Sequence, residues 1–75
     1  MLSKIDLYVI DKVREIRTQK NISQAELAHR IEVSQGFIGK VESLKYEAKY
    51  NLNHLNKIAE ALEISPKELL PQEKL

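Results

Sequence analysis

Between Ser34 and Tyr50 the chain sets polar, cationic and aromatic side chains at short intervals. They are the hydroxyl of Ser34 and the amide of Gln35, the ammonium groups of Lys40, Lys45 and Lys49, and the rings of Phe37, Tyr46 and Tyr50. An amide presents a donor beside an acceptor, which matches adenine N6 and N7, and an ammonium donates to guanine or neutralises a phosphate. An aromatic ring meets a thymine methyl or another ring. These are means of recognition, and the sequence is poor in other chemistry. It has no cysteine, so no disulfide or thiolate metal site is available. His29 and His54 have no second histidine or cysteine three or four residues on, which favours structural or surface roles over metal binding. No Ser/His/Asp grouping and no glycine-rich phosphate loop appears, and a chain this short scarcely encloses a substrate pocket. An enzyme is the remote reading, and neither a cofactor nor a metal is expected.

Recognition groups need a rigid support, and the punctuation of the chain describes one. Ser3 precedes Asp6 by three residues, Ser23 precedes Glu26, and Ser65 is followed by Pro66 and Glu68. Each reads as a capping box, in which the hydroxyl accepts a free helix N–H and the carboxylate reaches back. Ser34 and Asn51 are further N-cap candidates without the acidic partner. From these starts the spacing predicts five helices, over about 4–20, 24–31, 35–43, 52–63 and a last turn 66–70 before Pro71. Val9, Val13 and Ile16 line the first; Leu27, Ala28 and Ile31 the second; Ile38 and Val41 the third; Leu52, Leu55, Ile58, Ala59 and Leu62 the fourth. Asn21 suits the left-handed residue after the first helix. Two glycines and two prolines leave little strand or hairpin signal. The expected fold is all-α, a compact five-helix bundle forming one domain over residues 1–75, with 71–75 as a tail.

Composition agrees with a small folded domain. The 75 residues are 43% apolar and 31% charged, with a net charge of +1 that drives binding to neither nucleic acid nor membrane by field alone. No apolar run exceeds four residues, against the roughly 20 that cross a bilayer. The first residues lack the apolar stretch of a signal peptide, so a soluble, cytoplasmic protein with no membrane partner is expected. From Ser34 to Lys57 there are four lysines and two glutamates, and from Ile58 onward four glutamates and two lysines. A basic middle and acidic end suit one face turned toward DNA, although scatter at this size gives the same pattern.

The second and third helices are separated only by Glu32-Val33-Ser34, too short for antiparallel packing, so they meet steeply in helix-turn-helix geometry. The outer face of the later helix is then a convex rod able to enter a major groove. Ser23-Gln24-Ala25-Glu26-Leu27-Ala28, Val33-Ser34-Gln35 and Ile38-Gly39-Lys40-Val41-Glu42 resemble the Cro/repressor-type helix-turn-helix family, which includes the phage repressors. The likeness extends through Val13-Arg14-Glu15-Ile16-Arg17 upstream and Leu55 to Leu62 downstream, with the motif itself over about 23–43. It implies a transcriptional regulator, of repressor type, that binds an inverted-repeat operator in double-stranded DNA as a homodimer, at least on DNA, through helix 35–43. By the same resemblance Gln24 touches a phosphate, Ser34, Gln35, Gly36 and Lys40 face base edges, and Arg17 and Glu42 form a partly buried ion pair. No ligand-sensing domain is evident, so no small-molecule effector is expected.

The sequence departs from that family in three places. Glu32 stands where a turn glycine is usual, Gly36 and Gly39 lie within the reading helix, and the loop 44–50 is about two residues longer than the common form. That loop carries Lys45 and Lys49 for phosphate contact. Several residues also have ordinary readings. Gln35 can be an exposed residue near a cap, Lys40 can meet a phosphate or a guanine, and Phe37 can touch a thymine methyl or pack on Tyr46. Tyr46 and Tyr50 can cover the rim of the core, the glycines can be tolerated or allow close approach, and Arg17 and Glu42 can be solvated charges. The competing function is a protein-interaction module on the same fold, an antitoxin or adaptor without base readout. For pairing two copies, Leu2, Leu7 and Ile10 form one apolar candidate, and Leu69, Leu70 and Leu75 form the favoured one.

Overall fold

Ser3 starts the first helix by exchanging hydrogen bonds with Asp6: its Oγ accepts the Asp6 N–H at 3.2 Å, and the Asp6 carboxylate accepts the Ser3 N–H at 2.9 Å. In the computed structural model, which describes residues Met1–Leu75, this opens α1, Lys4–Gln19. Helix α2 is Gln24–Ile31, α3 is Gln35–Ser43 and α4 is Leu52–Leu62; Pro66–Leu69 follow as a 3-10 turn. The architecture is therefore four α-helices and a turn rather than five helices. The segment between Pro66 and Pro71 is too short for a sustained i→i+4 ladder, and the Glu68 N–H bonds the Ser65 carbonyl three residues back at 2.9 Å.

Two caps differ from expectation. Ser23 Oγ accepts the Glu26 N–H at 3.0 Å, but the Glu26 carboxylate turns to Arg30 Nε at 3.0 Å instead of returning to the cap. Asn51, which lacked an acidic partner in the sequence, has a basic one. Its Oδ1 accepts the His54 N–H at 2.8 Å, and its own N–H donates to His54 Nδ1 at 3.0 Å. At the other ends, Glu32 (φ 62°), Leu44 (φ 63°) and Glu63 (φ 57°) close α2, α3 and α4 in the left-handed region, and Asn21 (φ 59°) follows α1 there. Glu32 thus takes the conformation a turn glycine takes, at a cost of about 1 kcal/mol. The turn geometry survives because α2 and α3 are pinned together from below.

That pinning is apolar. Leu27, Ile31, Ile38, Val41, Ile58 and Leu62 are withdrawn from solvent, so α2, α3 and α4 share one core against which Val9, Ile10 and Val13 of α1 pack. Leu69 is fully buried and ties the 3-10 turn to this core. Burial of Ile10 and Leu69 removes them from the two apolar patches the spacing suggested for pairing, whereas Leu7 and Leu70 stay exposed. Leu52, expected inside, is 82% exposed at the first position of α4. Arg30 adds a polar strut, donating from Nη1 to the Ala61 carbonyl near the end of α4 at 2.9 Å.

Candidate nucleic-acid interface

Helix α3 is held from beneath by one carboxylate. Glu42, in the last turn of α3, receives Arg17 Nε at 3.0 Å on one oxygen and Arg17 Nη2 at 2.8 Å on the other. Both residues are about nine-tenths buried. The third guanidinium arm, Nη1, donates to the Ile22 carbonyl at 2.7 Å, so the arginine also fixes the joint between α1 and α2. Gln24 joins the same group, its Nε2 donating to Glu42 at 3.0 Å. The first residue of α2 is therefore anchored to the last turn of α3, a bond that no local spacing announced. An amide nitrogen carries two hydrogens. One serves Glu42, and the other remains for a group beyond the half-exposed edge of α2.

On the outer side of α3, Ser34, Gln35, Gly36 and Lys40 are exposed together. Ser34 also caps the helix, its Oγ accepting the Phe37 N–H at 3.0 Å. Neither Gly36 nor Gly39 has a positive φ. A methyl at 36 meets only Ser34 Oγ at 3.9 Å, and one at 39 meets Gln24 Oε1 at 3.6 Å, both ordinary contacts. The fold itself gives no reason for either glycine. Gly36→Ala and Gly39→Ala are each expected to stabilise the free domain by about 0.8–1 kcal/mol in urea denaturation; a loss of stability would reveal a packing constraint at that position.

Phe37 does not belong to that outer surface. It is half-buried, with its ring 5.0 Å from His54 and 6.1 Å, edge-on, from Tyr50, and its neighbour is not Tyr46. Tyr50 is buried beneath it; burial and then the Glu42 charge raise its pKa, and its hydroxyl has no hydrogen-bond partner. Tyr46 instead stands 62% exposed beside Lys40, whose Nζ lies 5.6 Å from its ring centre. Lys45 is exposed in the same loop. Lys49 turns away to α1, where its Nζ is 3.6 Å from the Asp6 carboxylate. Ser34, Gln35, Gly36 and Lys40 are thus each exposed along α3 and its cap, while Phe37 is half-buried against His54 and Tyr50 and Lys49 is paired with α1.

His54 ties the aromatic cluster to the start of α4, and its cap bond requires an unprotonated Nδ1. Burial, and secondarily the nearby Lys57 charge, hold its pKa below the ordinary 6.5. The folded state therefore binds this proton less readily than the unfolded chain. The stabilisation is complete above the unfolded pKa and is lost as pH falls through it toward the folded value. Stability is expected to decline as pH falls through about 6.5 more steeply in the unaltered protein than in a His54→Gln variant. Parallel pH curves would show that the imidazole plays no such part.

A model of the helix-turn-helix family matches residues 13–69. The chain belongs to the helix-turn-helix family. Among helix-turn-helix relatives, control protein C.BamHI of Bacillus amyloliquefaciens is 35% identical over 71 residues, covering 93% of this chain and 85% of its own. The restriction-modification controller protein C.AhdI from Aeromonas hydrophila has a crystal structure that superposes with a TM-score of 0.73 at 33% identity, over 84% of this chain and 92% of its own. The P22 c2 repressor, crystallised with a synthetic operator, gives a TM-score of 0.70 at 29% identity, over 87% of this chain and 96% of its own. Within this family's frame, α2 and α3 are the two helices of the motif, and α3 is the one whose outer face is open.

Proposed function

We propose that the protein is a sequence-specific transcriptional regulator that lays α3 in the major groove of double-stranded DNA. The observation that carries the reading is the exposure of Ser34, Gln35, Gly36 and Lys40 on a helix fixed from behind by Arg17, Glu42 and Gln24. The relatives add support, since they include controller proteins and a repressor crystallised with its operator. Gln35 is the base reader, Gln24 gives its second amide hydrogen to a phosphate at the N-terminus of α2, and Lys45 neutralises the backbone. Lys49 takes no part unless it leaves Asp6.

One reading helix spans too few base pairs to single out a site in a genome, so two copies act on an inverted repeat. An apolar groove of about 270 Å³ supports this pairing; its walls include Ile5, Val9, Tyr50, Leu52, Leu55 and Leu70. Its exposed lip of Ile5, Leu52 and Leu70 unites the N-terminal and C-terminal sides of the chain, so the pairing surface draws on both rather than on the last residues alone. Selection of bound sequences from random duplexes tests the whole reading. Recovery of a palindrome with half-sites about one helical turn apart is expected. In Leu70→Asp, half-site binding should persist while cooperativity on the full site falls. Failure to enrich any sequence would favour the protein-interaction alternative.

A further inference from the structure

Lys40 has neither a carboxylate partner nor a buried stem to explain where its ammonium rests. It lies over the ring of Tyr46, within the range at which a cation is drawn to an aromatic face. The placement is built by the backbone. Ser43 Oγ donates to the Lys40 carbonyl at 3.0 Å and accepts the Lys45 N–H at 3.4 Å, while Leu44 turns left-handed at φ 63°. Together these fold the longer loop back beside the last turn of α3 and bring Tyr46 against Lys40. Tyr46 is not a core residue, being 62% exposed. The Lys40 ammonium and the exposed Tyr46 ring then lie together at the C-terminal end of α3, away from Gln35 at its start.

We infer that Tyr46 is a DNA-contacting residue, and that it forms with Lys40 one seat for a single backbone phosphate. The inference rests on the DNA-binding reading given above. The ring holds the ammonium at the helix end, the ammonium neutralises the phosphate, and the phenol O–H donates to one of its oxygens. Lys40 accordingly acts on the backbone and not on a guanine.

The test titrates the protein and its Lys40→Ala, Tyr46→Phe and doubly substituted forms on the duplex recovered by selection and on a scrambled duplex, over a range of salt. Lys40→Ala should weaken both duplexes alike and reduce the slope of log affinity against log salt by about 0.9, one phosphate's share. Tyr46→Phe keeps the ring but removes the O–H. It should weaken both duplexes about tenfold without changing the slope. The double variant should lose less than the product of the two. One uncharged methylphosphonate, at a single position in the duplex, should reproduce and mask both losses. Multiplicative effects, a Lys40 effect confined to one base pair, or unchanged affinity in Tyr46→Phe would each overturn the inference while leaving the regulator reading intact. Absence of duplex binding by the unaltered protein would overturn both. Thermal melts separate a folding role: a Tyr46→Ala variant that lowers the melting temperature, together with a silent Tyr46→Phe, makes the ring a structural prop and rejects the seat.

Discussion

Arg17→Met is expected to cost the domain about 3–5 kcal/mol, because it leaves the Glu42 carboxylate buried with an amide as its sole side-chain donor. A domain of this size has a total stability of only about 4–11 kcal/mol, so the variant should lose a large share of it. Glu42→Gln strands the guanidinium instead and should be the milder loss, since a glutamine carbonyl still accepts one of its N–H groups. Each single change leaves a mate behind, so the doubly substituted protein should be destabilised by clearly less than the sum. Urea denaturation of the four proteins measures this coupling. Additive losses would mean that the two side chains do not support each other, whatever their 2.8 Å and 3.0 Å contacts.

Gln35→Ala carries the second large effect, on selectivity rather than on folding. Its amide is exposed at the first position of α3 and is not committed to any other side chain. If it pairs bidentately with a base, its loss removes about 1–3 kcal/mol of discrimination at one position in each half-site and leaves the other positions as sharply read. Lys45→Ala gives the contrasting signature, a uniform loss across sequences with a flatter salt dependence. Binding-site selection with each variant tells the two apart. A Gln35→Ala selection identical to that of the parent would exclude Gln35 as a base reader.

Features set by residues three or four apart were legible in the sequence. Ser3 and Asp6 meet as their spacing requires, and the Glu32-Val33-Ser34 joint fixes α2 and α3 as neighbours. Features decided by competition or by distant partners were not. Glu26 had the spacing for a capping box, but Arg30 one turn further offered it a full charge. His54 is no obvious cap partner in the sequence because the usual pattern has a carboxylate or amide there, although a neutral imidazole nitrogen also accepts an N–H. Leu52 sits at the right interval from Leu55, yet periodicity assigns a face of a helix and not how far the neighbouring elements extend along it. The neighbours of Phe37 are Tyr50 and His54, 13 and 17 positions away, so no local spacing distinguishes packing on them from packing on Tyr46. The bond from Gln24 to Glu42 spans 18 positions and has no local signature.

Helix α3 is nine residues long and includes two glycines. An isolated helix shorter than about 12–15 residues is marginal in water even when rich in good helix formers, so this one exists by virtue of docking. Ile38 and Val41 are held in the same core as Leu27 and Leu62, and no boundary divides the reading helix from its scaffold. The slowest amide hydrogens of α3 should consequently exchange only when the entire chain opens, at the same free energy as those of α2 and α4. There is then no regime in which the scaffold persists while the reading face melts. Warming is then expected to remove the exposed surface of α3 along the same curve that unfolds the protein.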